Sequence, residues 1–230
     1  MSIGAAFVQR VSGFGFGIFI MTVLPYLMPT YGEATTLSGL LAIVTSIIIA
    51  VRHYHHLHWK KLLPILITFI AVSYIAVQFV SIASDGILRK LLGGILILAS
   101  AWFLFLAKRV HLPASLPVQF CMGTLSGVMG GLFGMQGPPA VLYFISSAEK
   151  KEEYMAMAQM YFLIGNVVMT IYRARCGYLT QTVLEGWCYG LIAVLIGTYI
   201  GSVVFSYISI NILREVIYTY MAVSGAIALL

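Results

Sequence analysis

The chain has 230 residues, 61% of them hydrophobic and only 9% charged, with a mean hydropathy of +0.99 and a formal net charge of +6. A soluble domain carries about 25% charge, so this chain cannot clothe a water-facing surface and reads as an all-α integral membrane protein, a single transmembrane domain over 1–230. Its basic residues stand singly or in pairs between apolar runs, which fits cytoplasmic loops and argues against a nucleic-acid partner.

A helical span takes about 20 apolar residues. Eight hydrophobic segments are expected, at roughly 3–28, 35–51, 62–80, 88–106, 117–146, 155–172, 183–207 and 210–229. The first contains "QRVSGFGFG", residues 9–17. Glycine tolerates backbone angles that break a helix, and irregular backbone at membrane depth must be buried in protein or line a wet cavity. Gln9, Arg10, Gly13, Gly15 and Gly17 are therefore candidate site residues. An intramembrane arginine is a functional candidate by default, and its guanidinium fork suits a sulfonate or carboxylate. The alternative is an Arg10 that snorkels to an interface.

The second segment carries Ser38, Thr45 and Arg52 at intervals of seven, along one helical face. The loop "RHYHHLHWKK", residues 52–61, follows. Its histidines invite a metal reading, but Arg52, Lys60 and Lys61 disfavour a divalent cation, so no metal site is expected. Trp59 suits an interfacial anchor. Cys121, Cys176 and Cys188 have neither metal-type spacing nor the makings of a disulfide framework.

The fifth segment contains "GGLFGMQGPP", residues 130–139. Proline suits the first turn of a helix, where its missing N–H would have had no partner. A break is expected at Gly134–Gly137, with a half-helix running from about Pro138 to Ser146. Free N–H groups at its start, from Ala140 onward, and the positive end of its dipole make an anion site. Gly134, Gln136, Gly137, Pro138, Pro139 and Ala140 are the candidates. Gly123, Gly127 and Gly131, spaced by four, read as a helix-packing groove, as do Gly197 and Gly201. In the sixth segment Gln159, Asn166 and Arg173 form a second stripe spaced by seven, a candidate polar pathway.

An offset of 121 relates the two halves, about 1–110 and 117–230. It carries Gly13 to Gly134, and Ser38, Thr45 and Arg52 to Gln159, Asn166 and Arg173. The expectation is two repeats of four segments, the first of each broken by a glycine-rich stretch. Transporters of this design bind substrate near the midplane, where broken helices meet. Two topologies remain open. If the first segments are through-spans, the halves share one orientation; if they are re-entrant hairpins, the repeats are inverted. The length of 117–146 favours hairpins, and in both cases the loop 52–61 is cytoplasmic.

"VQRVSGFGFGIFIMTVLPYL" and "GTLSGVMGGLFGMQGPPAVLYF" resemble the paired glycine-rich motifs of the TauE/SafE sulfite exporter family. "QMYFLIGNVVMTIYRARCGYLT" and "GLIAVLIGTYIGSVVFSYISINILREVIY" resemble that family's third quarter and closing region. The resemblance covers nearly the whole chain. It implies a small multi-pass transporter of sulfite, sulfoacetate-like sulfonates or other small organic anions. The chain departs from the motif at Gln136, where the family often carries another glycine, and this leaves the particular substrate open.

The expected function is export of a small anion across a cell membrane, bacterial inner or plasma membrane, without a cofactor. The lipid bilayer and the anion are the partners, and a homodimer is compatible with the chain. A small-anion channel is the alternative, and a scaffold subunit a third class. No Ser/His/Asp order or carboxylate pair suggests an enzyme. Almost all of the seven acids sit at segment ends, so passive or potential-driven movement is expected.

Overall fold

The computed structural model describes residues 1–101, 113, 115–204 and 226. The expected segment 210–229 and the basic pair Lys108 and Arg109 lie outside the described residues. Among the described residues the fold is all helical, 86% helix and without strands. Five of the described helices are long and apolar enough to cross a membrane: Tyr31–His56, Trp59–Ile82, Leu116–Phe133, Lys151–Arg175 and Gln181–Val204.

The expected segment 3–28 is three short helices, α1 (Ser2–Ser12), α2 (Phe16–Ile20) and α3 (Leu24–Leu27). α1 stops because Gly13 and Gly15 hold φ of 82° and 97°, a left-handed backbone that residues with a Cβ avoid. α4 (Tyr31–His53) starts at a capping box. Thr30 Oγ1 accepts from the Glu33 N–H at 3.2 Å, and Glu33 Oε2 accepts from the Thr30 N–H at 3.0 Å. A 3-10 turn, Tyr54–His56, leads to α5 (Trp59–Ile82), and α6 (Asp85–Ala101) follows. α7 (Leu116–Phe133) ends at Gly134, also left-handed at φ 67°. After a short gap come α8 (Gly137–Ser147), α9 (Lys151–Arg175) and α10 (Gln181–Val204).

α4 and α9 pack antiparallel at the centre. At one end, the Tyr178 end, Arg173 near the finish of α9 donates to the Thr35 carbonyl near the start of α4, at 3.0 Å. Thr180 donates to Glu33 Oε1 at 2.7 Å beside it. At the other, the His58 end, Lys61 donates to Glu153 Oε1 at 2.8 Å and to the Ser147 carbonyl at 2.9 Å. The start of α5, the finish of α8 and the start of α9 therefore meet there. His55, His56 and His58 are exposed at this end.

α7 runs alongside α5 in the same direction through glycine contacts. A Cβ on Gly123 would meet the Ile65 carbonyl at 2.7 Å, one on Gly127 the Val72 side chain at 2.8 Å, and one on Gly131 the Ala76 methyl. Glycine at every fourth position lets the two backbones approach. α8 then returns along α7: Gln119, in the first turn of α7, donates to Tyr143 near the end of α8 at 2.6 Å. The first segment is arranged alike against α10. A Cβ on Gly197 would meet the Ile3 carbonyl, and one on Gly201 the Arg10 Cβ at 2.9 Å. α1 thus runs parallel to α10 from the Tyr178 end. The chain comes back to that end at Tyr26, whose ring lies 5.3 Å from the Arg89 guanidinium.

Candidate functional site

The two glycine-rich gaps meet in the protein interior. A Cβ on Gly17 would strike the Gly134 carbonyl, so the two backbones touch at these glycines. Beside this contact is a cavity of about 30 Å3, above the ~10–15 Å3 that one water needs. Gly15–Ile18 at the start of α2 and Gly134–Gly137 leading into α8 form two of its walls; Gln9, Ala42, Phe162 and Asn166 contribute from α1, α4 and α9. Among the described residues no Asp or Glu lines it.

The donors come from the helix starts. The first-turn N–H groups of a helix have no intrahelical acceptor. In α2 the Phe19 N–H reaches the Gly15 carbonyl at 2.9 Å, which leaves the N–H groups of Phe16, Gly17 and Ile18 without a place in that helix's own ladder. α8 contributes less, because Pro138 and Pro139 have no N–H and the helix begins one residue earlier than the prolines suggest, at Gly137. Ala140, Pro138 and Pro139 are buried but do not line the cavity. Asn166 adds an amide that takes no hydrogen bond among the described residues.

Around the cavity the polar side chains are tied down. Gln9 donates to Ser46 Oγ and to Gln159 Oε1, both at 3.0 Å, and accepts from Thr45 Oγ1 at 2.8 Å. Gln159 donates to the Gly13 carbonyl at 2.6 Å, so α9 holds the first gap. Arg173, 1% exposed, donates to the carbonyls of Gly130 (2.9 Å), Gly131 (3.3 Å) and Thr35 (3.0 Å). It caps the carboxyl end of α7 with a cation, where the helix dipole favours one. No carboxylate pairs with it among the described residues.

Gln136 is the least settled group. Its Nε2 reaches the Phe162 carbonyl only at 3.4 Å, and its buried Oε1 has no partner. A Cβ on Gly165 would strike that oxygen, so glycine at 165 makes room for it. Ser126 donates to the Gln136 carbonyl and accepts from Tyr161 at 2.7 Å, anchoring the backbone of the gap.

The candidates named from sequence thus divide. Gln9, Gly15, Gly17, Gly134, Gln136, Gly137 and Asn166 share the cavity; Gly13, Gln159 and Arg173 stand behind it as supports. Arg10 is not in its wall. It lines a separate cavity with Arg52, because consecutive residues on α1 face different ways and Gln9 takes the inward direction. The apolar lining, Phe14, Phe16, Ile18, Ala42, Met135 and Phe162, has no counterpart among the candidates the sequence offers. One signal pointed to part of it: Phe162 precedes Asn166 by four residues, one helical turn on the same face.

A model of the sulfite exporter TauE/SafE family matches residues 1–227. A protein of Cupriavidus necator described as a probable sulfite/organosulfonate exporter is 22% identical over 197 residues, covering 84% of this chain and 77% of its own. A probable membrane transporter protein of Methanocaldococcus jannaschii is 24% identical over 193 residues, covering 78% and 70%. No solved structure matches the chain.

Proposed function

The chain belongs to the TauE/SafE sulfite exporter family, and from that premise we propose that it exports a small sulfur-containing anion, sulfite or a short organosulfonate, through the cavity between its two glycine-rich gaps. The relatives are named as exporters and transporters, so neither a channel nor an enzyme is the favoured reading.

One observation carries the proposed site: two helix starts and the Asn166 amide converge on one cavity with no carboxylate among the described residues that line it. Each helix start bears up to about half a positive charge, less for the five-residue α2. Aligned N–H groups suit an oxyanion there. The buried Arg173 adds a full charge behind the wall. Gly39 separates it from the cavity's amide: a Cβ there would lie 3.6 Å from Arg173 Nη1 and 3.8 Å from Asn166 Oδ1. With no acid among the described residues of the cavity wall, the electrostatics favour the anion itself as the moving charge. Proton coupling would then run through protonation of the substrate.

The two gaps enter from opposite ends, and the offset of 121 carries α4, residues 31–53, to 152–174, against α9 at Lys151–Arg175. It likewise carries α5, 59–82, to 180–203, against α10 at Gln181–Val204. We read this as an internal duplication with inverted halves, each opened by a re-entrant hairpin, the geometry used for alternating access around a fixed site. Excess Lys and Arg at the His58 end, with Arg52, Lys60, Lys61, Lys150 and Lys151, assign that end to the cytoplasm.

The test is sulfite efflux from proteoliposomes. Wild-type flux should saturate with sulfite, and Asn166→Leu should abolish it while purifying as a folded protein. Unitary currents, or full flux in Asn166→Leu, would overturn the carrier or its site respectively.

A further inference from the structure

At Gly123, Gly127, Gly131 and Gly201 a Cβ would come within 3.0 Å of an atom on another helix, so close packing explains the glycine. Gly39, inside α4, is different. A Cβ there would meet its nearest neighbours at 3.4–3.8 Å, ordinary contact, and its φ is not left-handed. Glycine weakens a helix interior relative to alanine, so neither packing nor backbone accounts for this one. What surrounds the missing Cβ is polar: Thr170 Oγ1 at 3.4 Å, Arg173 Nη1 at 3.6 Å and Asn166 Oδ1 at 3.8 Å, all from α9. Thr170 is also out of pattern. Thr35, Thr36, Thr45 and Thr68 each donate to a carbonyl three or four residues back, the usual outlet for a hydroxyl in a helix. The buried Thr170 hydroxyl has no partner, and neither has that of Ser38, which is 1% exposed. Buried groups left unpaired are costly, and a passing ion is one explanation for them. Arg173 Nη1 gives one N–H to the Thr35 carbonyl, and its second has no acceptor among the described residues.

These groups lie in line. On α4, Gly39 and Ser38 precede the cavity residue Ala42 by three and four residues; on α9, Thr170 and Arg173 follow the cavity residue Asn166 by four and seven. Each set therefore shares one helical face. The two helices are antiparallel, so both sets lead from the cavity toward the Tyr178 end. We propose that this seam is the route by which the oxyanion leaves the cavity toward that end, a step that rests on the cavity being the transport site. Gly39 is its narrow point, and the Thr170 hydroxyl and Arg173 Nη1 are the groups that take the anion next. The opening at Gly39 is methyl-sized, so α4 and α9 part for passage, and glycine beside Ala42 leaves the least side chain to clear. An anion in a low-dielectric interior needs a donor at each step. Asn166, whose amide can turn its NH2 either way, links the two positions.

The test compares Gly39→Ala and Thr170→Val with wild type, all as the purified full chain. Both should melt at or above wild type, since one gains helix propensity and the other loses only an unpaired hydroxyl. Sulfite binding by calorimetry in detergent should be unchanged in Gly39→Ala. Sulfite efflux from proteoliposomes should fall about ten- to a hundredfold in Gly39→Ala, because the added methyl is overpacked only during passage. In Thr170→Val it should fall about two- to tenfold, the loss of one hydrogen bond. Thiol labelling adds a readout without sulfite. With the native cysteines replaced, Thr170→Cys should react with an impermeant reagent from the side on which Leu179→Cys reacts, and more slowly when Gly39→Ala is added. Full efflux in both variants, a Gly39→Ala protein that melts below wild type, or an inert Thr170→Cys would overturn the proposal. Wild type that neither binds nor moves sulfite would overturn the transport reading instead, and labelling of Thr170→Cys would still decide whether the seam opens.

Discussion

Gly17 and Gly137 line the same cavity, each in the first turn of its helix, yet the same substitution should act on them in opposite ways. Neither has a positive φ, so alanine strains neither backbone. Both changes should gain a similar helix-propensity term, up to about 1 kcal/mol. They differ in what the new methyl meets. At Gly17 it collides with the Gly134 carbonyl, a backbone atom that cannot swing aside. At Gly137 its nearest neighbours are Phe14 Cδ2 at 3.7 Å and Phe162 Cζ at 3.8 Å, ordinary contact. Overpacking costs about 1–3 kcal/mol, and subtracting one variant from the other cancels the propensity term. For a chain of this size, each kcal/mol moves a melting temperature by about 2–4 °C. Gly17→Ala should therefore melt roughly 2–12 °C below Gly137→Ala in the same detergent, without ligand. Equal melting temperatures, or a lower one for Gly137→Ala, would refute the contact between the gaps as a determinant of stability.

Replacing Gln136 with glycine removes an unpartnered oxygen and a long, weak hydrogen bond, so stability should change by less than about 1 kcal/mol. The cavity should widen, and competition assays in proteoliposomes should show organosulfonates gaining on sulfite. Orientation can be read by thiol labelling after the three native cysteines are replaced. Cysteines at His56 and Lys150 should both be protected from an impermeant reagent outside the cell, and one at Leu179, at the opposite end, should react.

The sequence exposed the parts of this fold that rest on composition and on glycine. Hydropathy gave α4, α5, α9 and α10 close to their observed bounds, because a helix long enough to cross a membrane is mostly apolar along its length. Gly13 and Gly134 marked where helices stop, because few other residues accept left-handed angles. Arg10 was misleading for a physical reason: burial depth can be read from position in an apolar run, but direction around the helix cannot until the neighbours are known. The touch between Gly17 and Gly134 was likewise invisible, since it joins two stretches 117 residues apart in the chain. The roles of Gln159 and Arg173 as ties to backbone carbonyls needed the third dimension too, although their shared face on α9 was legible from the spacing of seven.

That shared face makes α9 the element that holds both gaps, and the two ties are unequal. Gln159 gives the first gap one neutral bond, at the Gly13 carbonyl, worth about 0.5–1.5 kcal/mol net. Arg173 gives the end of α7 two charge-assisted bonds and Thr35 a third, each worth about 1.5–3 kcal/mol before the cost of burying the cation is subtracted. The fork matters more than the charge. A lysine at 173 would still bury a cation, but its single ammonium on a flexible stem cannot span three carbonyls fixed on two helices. Arg173→Lys should therefore recover no more folded protein than Arg173→Met, measured as monodisperse yield and melting temperature, and Gln159→Leu should be milder than both. If lysine restored wild-type stability, Arg173 would act through its charge alone and the carbonyl ties would be incidental. If Gln159→Leu proved the most damaging, the first gap rather than the second would be the one on which the packing of α9 depends.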